Sequence, residues 1–247
     1  MWCVRSTVTA VNPEAYVEMA TTESRHWWFR ARRKILEHII KTMGLPRPAR
    51  ILEVGSGTGG NLMMLSQHGS VSALEIDENA RKLSSEKTHG RFTIRAGNCP
   101  DDIPFQGEQF DLICMFDVLE HIDEDVETLA ALRKHLAPGG RMLITVPAYP
   151  WLWSAHDVFL HHKRRYTARA LRQVFNESGL HIDRITYFNT LLLPLAALAR
   201  LKDRIVSRKR PSGTGIPLPL INSIFYAIFS SERHMLTSFN LPAGVSL

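Results

Sequence analysis

A glycine-rich loop that directly follows an apolar strand and opens a helix most constrains how this chain can fold. Residues 53–60 read EVGSGTGG. Glycine tolerates the backbone angles of a tight turn and lets the main chain approach a ligand closely. Such loops lie at the carboxyl edge of parallel sheets in doubly wound α/β proteins. A loop of this kind also binds nicotinamide cofactors and phosphate groups, so the loop alone does not fix the chemistry.

Strand-like and helical runs alternate around this loop, which favours a parallel sheet buried on both faces. The expected strands are residues 50–54, 71–76, 92–95, 110–116 and 141–146. The expected helices between them are residues 61–67, 78–87 and 126–136. The sequence therefore predicts an α/β fold of the doubly wound, mostly parallel type, with ligands at the carboxyl ends of the strands.

The flanking segments suggest how 247 residues are divided. We expect a loose N-terminal lead-in over residues 1–25, a core over residues 26–190, and an apolar and basic helical cap with a final strand over residues 191–247. Within the core, a helical period begins at Trp28, and Arg32 is expected to point away from its apolar face. Thr167 is expected to cap a helix that Gly179 ends.

Residues 181–188 alternate between apolar and polar like a strand.

Charge and cysteine content narrow the cellular setting. The formal net charge is +6, and the basic residues are spread along the chain. Solvated helix faces are the simple interpretation of this charge, and a surface that faces a membrane or a phosphate group is the alternative. Cys3, Cys99 and Cys114 are odd in number and lack metal-ligand spacing, which fits a reduced, cytoplasmic compartment. We expect no signal peptide, and the longest apolar stretch, residues 191–199, is too short to span a bilayer.

A carboxylate at the end of the second expected strand adds to the glycine loop. Glu75 follows Gly55 by twenty residues, a spacing at which an acid accepts hydrogen bonds from both hydroxyls of a ribose. The alternative is an exposed acid at a strand end. The spacing favours binding of a nucleoside-containing cofactor.

Four segments together resemble class I S-adenosylmethionine-dependent methyltransferases, in particular the group similar to the ubiquinone-biosynthesis O-methyltransferases. These segments read ILEVGSGTGG, ALEIDENA, FDLICMFDVLEHI and LAPGGRMLITVP, and the stretch that carries the resemblance runs from residue 50 to the end of the last segment, at residues 146–147. The resemblance implies a Rossmann-like sheet of seven strands and S-adenosyl-L-methionine as cofactor. An oxidoreductase would explain the loop and Glu75 but not the LEH and PGGRMLITVP segments.

The resemblance also implies roles for individual residues. Glu53 and the loop backbone would hold the methionine end of the cofactor, Glu75 the ribose, and Ile76 would pack on the adenine. Asn98, where the family usually has aspartate, would meet the adenine amino group, and Phe116 with its neighbours would form the wall beside the sulfonium. The full expected set of cofactor-binding residues is Glu53, Gly55, Ser56, Gly57, Gly59, Glu75, Ile76, Asn98, Cys99, Phe116 and Asp117.

The acceptor side is expected just past the fifth strand, where residues 149–166 are rich in aromatic and basic side chains. An oxygen acceptor needs a base to remove its proton, and histidine has a suitable pKa. We take His156 as the first candidate for this base and His161 as the second. The alternative is a structural clasp in which Asp157 or Glu120 pairs with neighbouring arginines.

Asp117, Glu120 and His121 form a D-x-x-E-H constellation that could bind a divalent ion. A cofactor-pocket wall with helix capping explains it more simply, so we assign no metal ligands. Arg30 or Arg33 could contact the cofactor carboxylate, and exposed surface arginines are the alternative.

The expected function is transfer of a methyl group to a small, apolar or lipid-linked acceptor, with O-methylation favoured. Two apolar segments, residues 191–201 and 216–229, are separated by a basic stretch, which suggests peripheral membrane contact. Nucleic acid is not expected as a partner, because Asp117-Val118-Leu119 stands where amino-directed DNA enzymes carry Asp/Asn-Pro-Pro-aromatic. A non-catalytic cofactor-binding module and a nucleotide-dependent oxidoreductase remain the alternatives.

Overall fold

The computed structural model describes residues 13–206 and 215–247, and its centre is a sheet of five parallel strands. The strand order is β3-β2-β1-β4-β5, so the order reverses between β1 and β4. The strands are β1 (Ala49–Val54), β2 (Gly69–Glu75), β3 (Thr93–Ala96), β4 (Phe110–Phe116) and β5 (Leu136–Thr145). The predicted doubly wound, parallel arrangement is confirmed.

Nine helices are described around this sheet. They are α1 (Pro13–Thr22), α2 (Trp27–Thr42), α3 (Leu62–Leu65), α4 (Glu78–Lys87), α5 (Asp125–Arg133), α6 (Ala155–Phe159), α7 (Ala168–Glu177), α8 (Leu193–Val206) and α9 (Pro219–Leu236). Thr167 caps α7 as predicted, since its side chain accepts a hydrogen bond from the Ala170 amide. Gly179 follows this helix with a φ of 73°, a left-handed conformation that suits glycine.

The two central strands owe their position to their composition. In β4 nearly every residue is buried, and in β1 only Arg50 is exposed. Such continuous apolar runs fit a strand that is covered by helices on both faces. One core cluster lies on each side of the sheet, with Leu36 and Ile51 in one and Leu52 and Phe105 in the other.

The expected number of seven strands is wrong for the described residues, which form five. Beyond β5 the sheet continues only as isolated bridges, in which Ser246 pairs antiparallel with both Pro147 and Phe188. Proline has no amide hydrogen to donate to a ladder, and the described main-chain bonds at this place involve residues 245–247 on one side. Residues 181–188, expected as a strand, therefore contribute bridges at Tyr187 and Phe188 alone.

The N-terminal segment is more ordered than the sequence suggested. Residues 13–22 form α1 rather than a loose lead-in, and Ala15 and Tyr16 are buried. Cys3 lies outside the described residues. Helix α1 packs near α4 at the carboxyl edge of the sheet, so it covers the place where doubly wound proteins bind ligands.

Of the two C-terminal helices, α9 packs against α2 and extends the core on that side. Phe229 and Leu236 of α9 are buried together with Ala31 and Ile35 of α2. The other side of these helices is apolar and exposed, as shown by Leu198 and Leu220, whose exposed fractions are 64% and 73%. Among the described residues, no helix combines the length and the apolar character needed to cross a membrane.

Candidate cofactor and acceptor site

The glycine loop makes its tight turn in the way the sequence predicted. Gly55 and Gly57 adopt positive φ angles of 70° and 52°, which residues with a Cβ atom rarely adopt. The amides of Gly55 and Ser56 both donate to the Leu74 carbonyl, at 2.8 and 3.1 Å. A Cβ atom on Gly55 would lie 2.6 Å from Val118, so the loop is packed closely against the segment that follows β4.

Glu75 ends β2 directly beside this loop and is almost fully buried. Its carboxylate accepts hydrogen bonds from the amides of Gly57 and Asp77, at 2.7 and 2.9 Å. The Tyr16 hydroxyl of α1 also hydrogen-bonds to it. Burial raises the pKa of Glu75, and the two amides oppose this shift. A carboxylate held in this way presents a fixed acceptor to whatever binds above the loop.

A cavity of about 470 Å³ opens above the loop and runs on toward α6 and α8. Nine of the expected cofactor-binding residues line it. They come from the last residues of β2 and β4 and from the loops that follow β1, β2, β3 and β4. These nine are Gly55, Ser56, Gly57, Glu75, Ile76, Asn98, Cys99, Phe116 and Asp117. The parallel sheet brings them to one edge, although they are spread over more than sixty positions of the sequence.

Glu53 and Gly59 are the two members of the expected set that do not line the cavity. Glu53 is buried behind the loop, where Asn61 donates a hydrogen bond of 2.8 Å to it. Burial raises the pKa of Glu53 to about 8, and this hydrogen bond acts against the shift. Gly59 has a φ of 76°, and a Cβ atom there would meet the Ser84 hydroxyl at 2.2 Å. Both residues shape the loop from behind.

Arg32 is a cavity residue that the sequence reasoning missed, because it was expected to point away from the apolar face. Its guanidinium is buried and forms an ion pair of 3.0 Å with Asp117. It also lies over the rings of Trp28 and Phe116, at 4.9 and 5.6 Å. The helical spacing could have revealed it, since Arg32 stands four positions from both Trp28 and Leu36.

Arg30 and Arg33 were the sequence-based candidates for a contact with the cofactor carboxylate, and both lie away from the cavity. Arg30 stacks over the Tyr226 ring at 4.5 Å, and Arg33 donates to the Glu23 carbonyl at 2.6 Å. Neither lines the cavity. Glu23 itself does line it, and its carboxylate is held by Thr58 at 2.7 Å and by Lys87. Helix α1 and the turn after it thus supply a wall that the sequence did not indicate.

The two candidate bases take different positions. His156 lines the far end of the cavity, where burial first and Arg200 second lower its pKa to about 3. His161 does not line the cavity, and its main chain hydrogen-bonds with the buried ring of His121. Of the two, only His156 presents its side chain to the cavity.

Asp157 organises this end of the cavity, as the clasp interpretation expected. Its carboxylate accepts from the Arg165 guanidinium at 2.7 and 3.1 Å and bonds to the His162 Nδ1 atom at 2.9 Å. Although burial by itself raises the pKa of Asp157, the hydrogen bonds from His162 and Arg165 outweigh it and hold that pKa well below its usual range. Arg164 pairs instead with Asp125, at 2.9 Å.

Glu120, His121 and His162 converge beside this clasp, and all three line the cavity. Each offers a ligand atom within 4.8 Å of the others, a separation from which a metal ion could be held. Asp117, the first residue of the D-x-x-E-H constellation, is not part of this group because it pairs with Arg32.

The residues present fit the cofactor that the sequence resemblance implies. The positive φ angles at Gly55 and Gly57 leave the loop backbone open to a ligand, and Glu75 faces the cavity beside them. A mainly apolar wall follows, with Ile76 and Cys99. A nucleoside joined to a charged amino acid needs an open backbone beside its amino-acid part, a carboxylate for its ribose and an apolar wall for its base.

Comparison with known proteins agrees with this site. The sequence model of the family described as "Methyltransferase domain" matches residues 10–185. The ubiquinone/menaquinone biosynthesis C-methyltransferase UbiE of Serratia proteamaculans (strain 568) is 25% identical over 182 residues, which cover 61% of this chain and 72% of that protein. Four other curated relatives are matched over 4%, 40%, 53% and 54% of their own length.

Solved structures share the fold at low identity. A methyltransferase in complex with the Haloferax volcanii Trm112 methyltransferase activator superposes with a TM-score of 0.59 at 19% identity, and 72% of this chain and 78% of that chain are covered. The glycopeptide N-methyltransferase MtfA, complexed with (S)-adenosyl-L-methionine, superposes with a TM-score of 0.53 at 17% identity over 63% of this chain and 86% of that one.

Proposed function

Because the chain belongs to the methyltransferase-domain family and is an S-adenosyl-L-methionine-dependent enzyme, we propose that it methylates a small, apolar or lipid-linked acceptor, with O-methylation favoured. The observation that carries the proposal is one continuous cavity. It joins the glycine loop and Glu75 at one end to His156 at the other, with Phe116 between them.

In this proposal the protein mainly positions and desolvates the reactants. S-adenosylmethionine, when bound, supplies an electrophilic methyl group on a sulfonium. Glu75 would hold the ribose, and Ile76 and Asn98 would hold the adenine. The backbone of residues 55–57 would lie against the methionine end, while its amides donate to Leu74 and Glu75. Phe116 and Asp117 border the reaction centre.

His156 is the proposed proton acceptor on the other side of the cavity. Burial lowers its pKa to about 3 and thereby keeps its ring neutral at physiological pH, so the ring can accept a hydrogen bond from an acceptor hydroxyl. The same lowered pKa makes the ring a weak base, so an acidic acceptor hydroxyl such as that of a phenol lowers the barrier to proton transfer more than an alcohol would.

The Serratia proteamaculans relative is a ubiquinone/menaquinone biosynthesis C-methyltransferase, and this favours C-methylation of a hydroxylated aromatic ring as the second candidate reaction for this chain. In both reactions loss of the proton from a ring hydroxyl leaves a phenolate whose negative charge is shared between the oxygen and the ring carbons. Either atom can then take the methyl group from the sulfonium, whose sulfur leaves as a neutral thioether, and after attack by carbon the ring also loses the proton of that carbon. The acceptor class is the same in both cases, and the experiment below distinguishes methylation of the oxygen from methylation of a ring carbon.

The acceptor proposal predicts methyl transfer to hydroxylated, prenylated aromatic compounds. Incubation with methyl-deuterated S-adenosylmethionine should add one labelled methyl group, and NMR of the product should show it as a methoxy group. His156→Ala should lower turnover about a hundredfold, the lower end for loss of a general base, with cofactor affinity unchanged. The exposed His181→Ala variant is the control. A labelled ring methyl would replace O-methylation by C-methylation, and transfer only to polar acceptors would refute the acceptor class.

We further propose that residues 26–190 form the catalytic core and residues 191–247 a cap that meets a membrane surface. Helix α8 has two unlike sides: Ala196, Ala199 and Arg200 line the cavity, whereas Leu195 and Leu198 are exposed. An apolar acceptor could thus pass from a bilayer surface to the cavity along one helix. The basic stretch between the two apolar segments is expected to meet anionic headgroups. Part of it lies outside the described part of the chain, namely Arg208, Lys209, Arg210 and the side chain of Arg204.

This cap predicts binding to anionic vesicles at low salt and release at high salt, since each basic residue near such a surface contributes about 1 kcal/mol and salt screens it. The double variant Leu198→Glu, Leu220→Glu should bind at least about tenfold more weakly, because burying one leucine side chain contributes about 1.5–3 kcal/mol. Met63→Glu, at an exposed apolar position of α3, is the matched control. Flotation of vesicles measures the bound fraction. If the wild-type protein fails to float at low salt, the membrane proposal is wrong.

A further inference from the structure

We propose that Glu120, His121 and His162 bind one divalent transition-metal ion at the acceptor end of the cavity. Their ligand atoms lie within 4.8 Å of one another, and the residues come from two separate segments of the chain, the turn after β4 and the loop after α6. The inference goes beyond the proposed function, because it concerns the binding of an ion and does not depend on the identity of the acceptor.

The Glu120 carboxylate is the strongest sign that something is bound here. It is fully buried, and among the described residues neither of its oxygens has a hydrogen-bond partner. Leaving a buried carboxylate unpaired is costly, so such groups are normally paired with a cation or bound to a metal. The two nearby buried guanidinium groups are already engaged, Arg32 by Asp117 and Arg165 by Asp157. Glu120 therefore faces the cavity without a guanidinium of its own, and the His162 ring, at 3.9 Å, is too far away for a hydrogen bond.

The two histidines are oriented as metal ligands usually are. His162 bonds through Nδ1 to Asp157 at 2.9 Å, which leaves Nε2 pointing toward Glu120 at 3.9 Å. The Nδ1 atom of His121 is buried without a partner in the described structure, while the ring also bonds to the main chain of His161. A ring nitrogen fixed by a carboxylate or a carbonyl, with the other one free, is the arrangement that orients histidine on a metal.

The donor set indicates the kind of ion. Two imidazole nitrogens and one carboxylate oxygen suit zinc, iron or another transition metal, whereas magnesium and calcium prefer oxygen ligands alone. Three protein ligands leave coordination positions free, as in catalytic rather than structural sites. Because all three residues line the cavity, those positions face the place proposed for the acceptor.

The test needs no acceptor. The purified protein, freed of metal with a chelator, should bind one equivalent of Zn²⁺ by titration calorimetry, and Co²⁺ should give the visible absorption of a nitrogen- and oxygen-ligated site. His162→Ala and Glu120→Gln should each weaken Zn²⁺ binding at least tenfold. Glu120→Gln keeps the shape of the side chain and removes its charge, so the variant should fold. His181→Ala, at an exposed histidine, should leave binding unchanged.

Other outcomes overturn the assignment. Absence of stoichiometric Zn²⁺ binding does so, and so does binding that His162→Ala and Glu120→Gln leave unchanged, because that would place the ion on surface histidines. Equal binding of Mg²⁺ would also contradict the donor set. Binding of S-adenosylmethionine, measured on the same samples, distinguishes failure of the metal-site proposal from failure of the proposed function. Cofactor binding without metal binding removes the metal site alone, and loss of both in the wild-type protein counts against the proposed function.

Discussion

Replacement of Glu75 by alanine is expected to weaken S-adenosylmethionine binding about tenfold to a hundredfold, since charge-assisted hydrogen bonds contribute roughly 1.5–3 kcal/mol. The carboxylate is buried at the edge of the cavity and already holds the Gly57 and Asp77 amides. Its loss would thus remove the proposed ribose contact and loosen the glycine loop. Titration calorimetry with S-adenosylmethionine and with its demethylated product measures the effect.

Two further variants make this result specific. Glu78→Ala removes an exposed carboxylate three positions away, which pairs only with Lys82 on the surface, and it should leave the dissociation constant unchanged. Glu75→Gln keeps the shape and one acceptor oxygen, so its affinity should lie between the wild type and Glu75→Ala. If Glu75→Ala is folded by circular dichroism and binds as tightly as the wild type, the ribose is held elsewhere.

Among the arginines of α2, loss of the buried Arg32 guanidinium should be the most destabilising change. Arg32→Ala leaves Asp117 without its partner beside a buried wall, and breaking a buried ion pair costs about 3 kcal/mol at the lower end of the observed range. We take the lower end because Asp117 is 22% exposed. For a domain of this size such a loss corresponds to a fall in Tm of roughly 6–12 °C. Chemical denaturation and calorimetry measure both quantities.

Arg30→Ala is the matched control for this experiment. Arg30 lies on the same helix and stacks over Tyr226, an exposed contact whose loss should cost no more than about 1 kcal/mol. The double variant Arg32→Ala, Asp117→Asn should recover part of the lost stability, because it removes both charges of the pair. Equal small losses for Arg30→Ala and Arg32→Ala would show that Arg32 is not part of the buried structure.

Sequence alone determined the central part of the fold. Neighbouring residues are enough to predict the apolar strands β1 and β4, the helix α4 and the capped helix α7, because each is a local pattern. The edge residue Glu75 was found from its spacing to the glycine loop, whereas Asn98 was placed only by the family resemblance. The resemblance of the loop and its neighbouring segments then supplied the cofactor.

The tertiary structure decided what depends on distant contacts. Arg32 is buried because Asp117, eighty-five positions later, lies opposite it, and α1 is ordered where Tyr16 reaches Glu75. Beyond β5 the described chain pairs only through isolated bridges, one of them at Pro147, and the sequence pattern did not reveal this. His162 was overlooked in favour of His156 and His161, because no spacing along the chain says that its ring meets Glu120 across the cavity. Burial and long-range pairing set these positions, and neither has a signal in the local sequence.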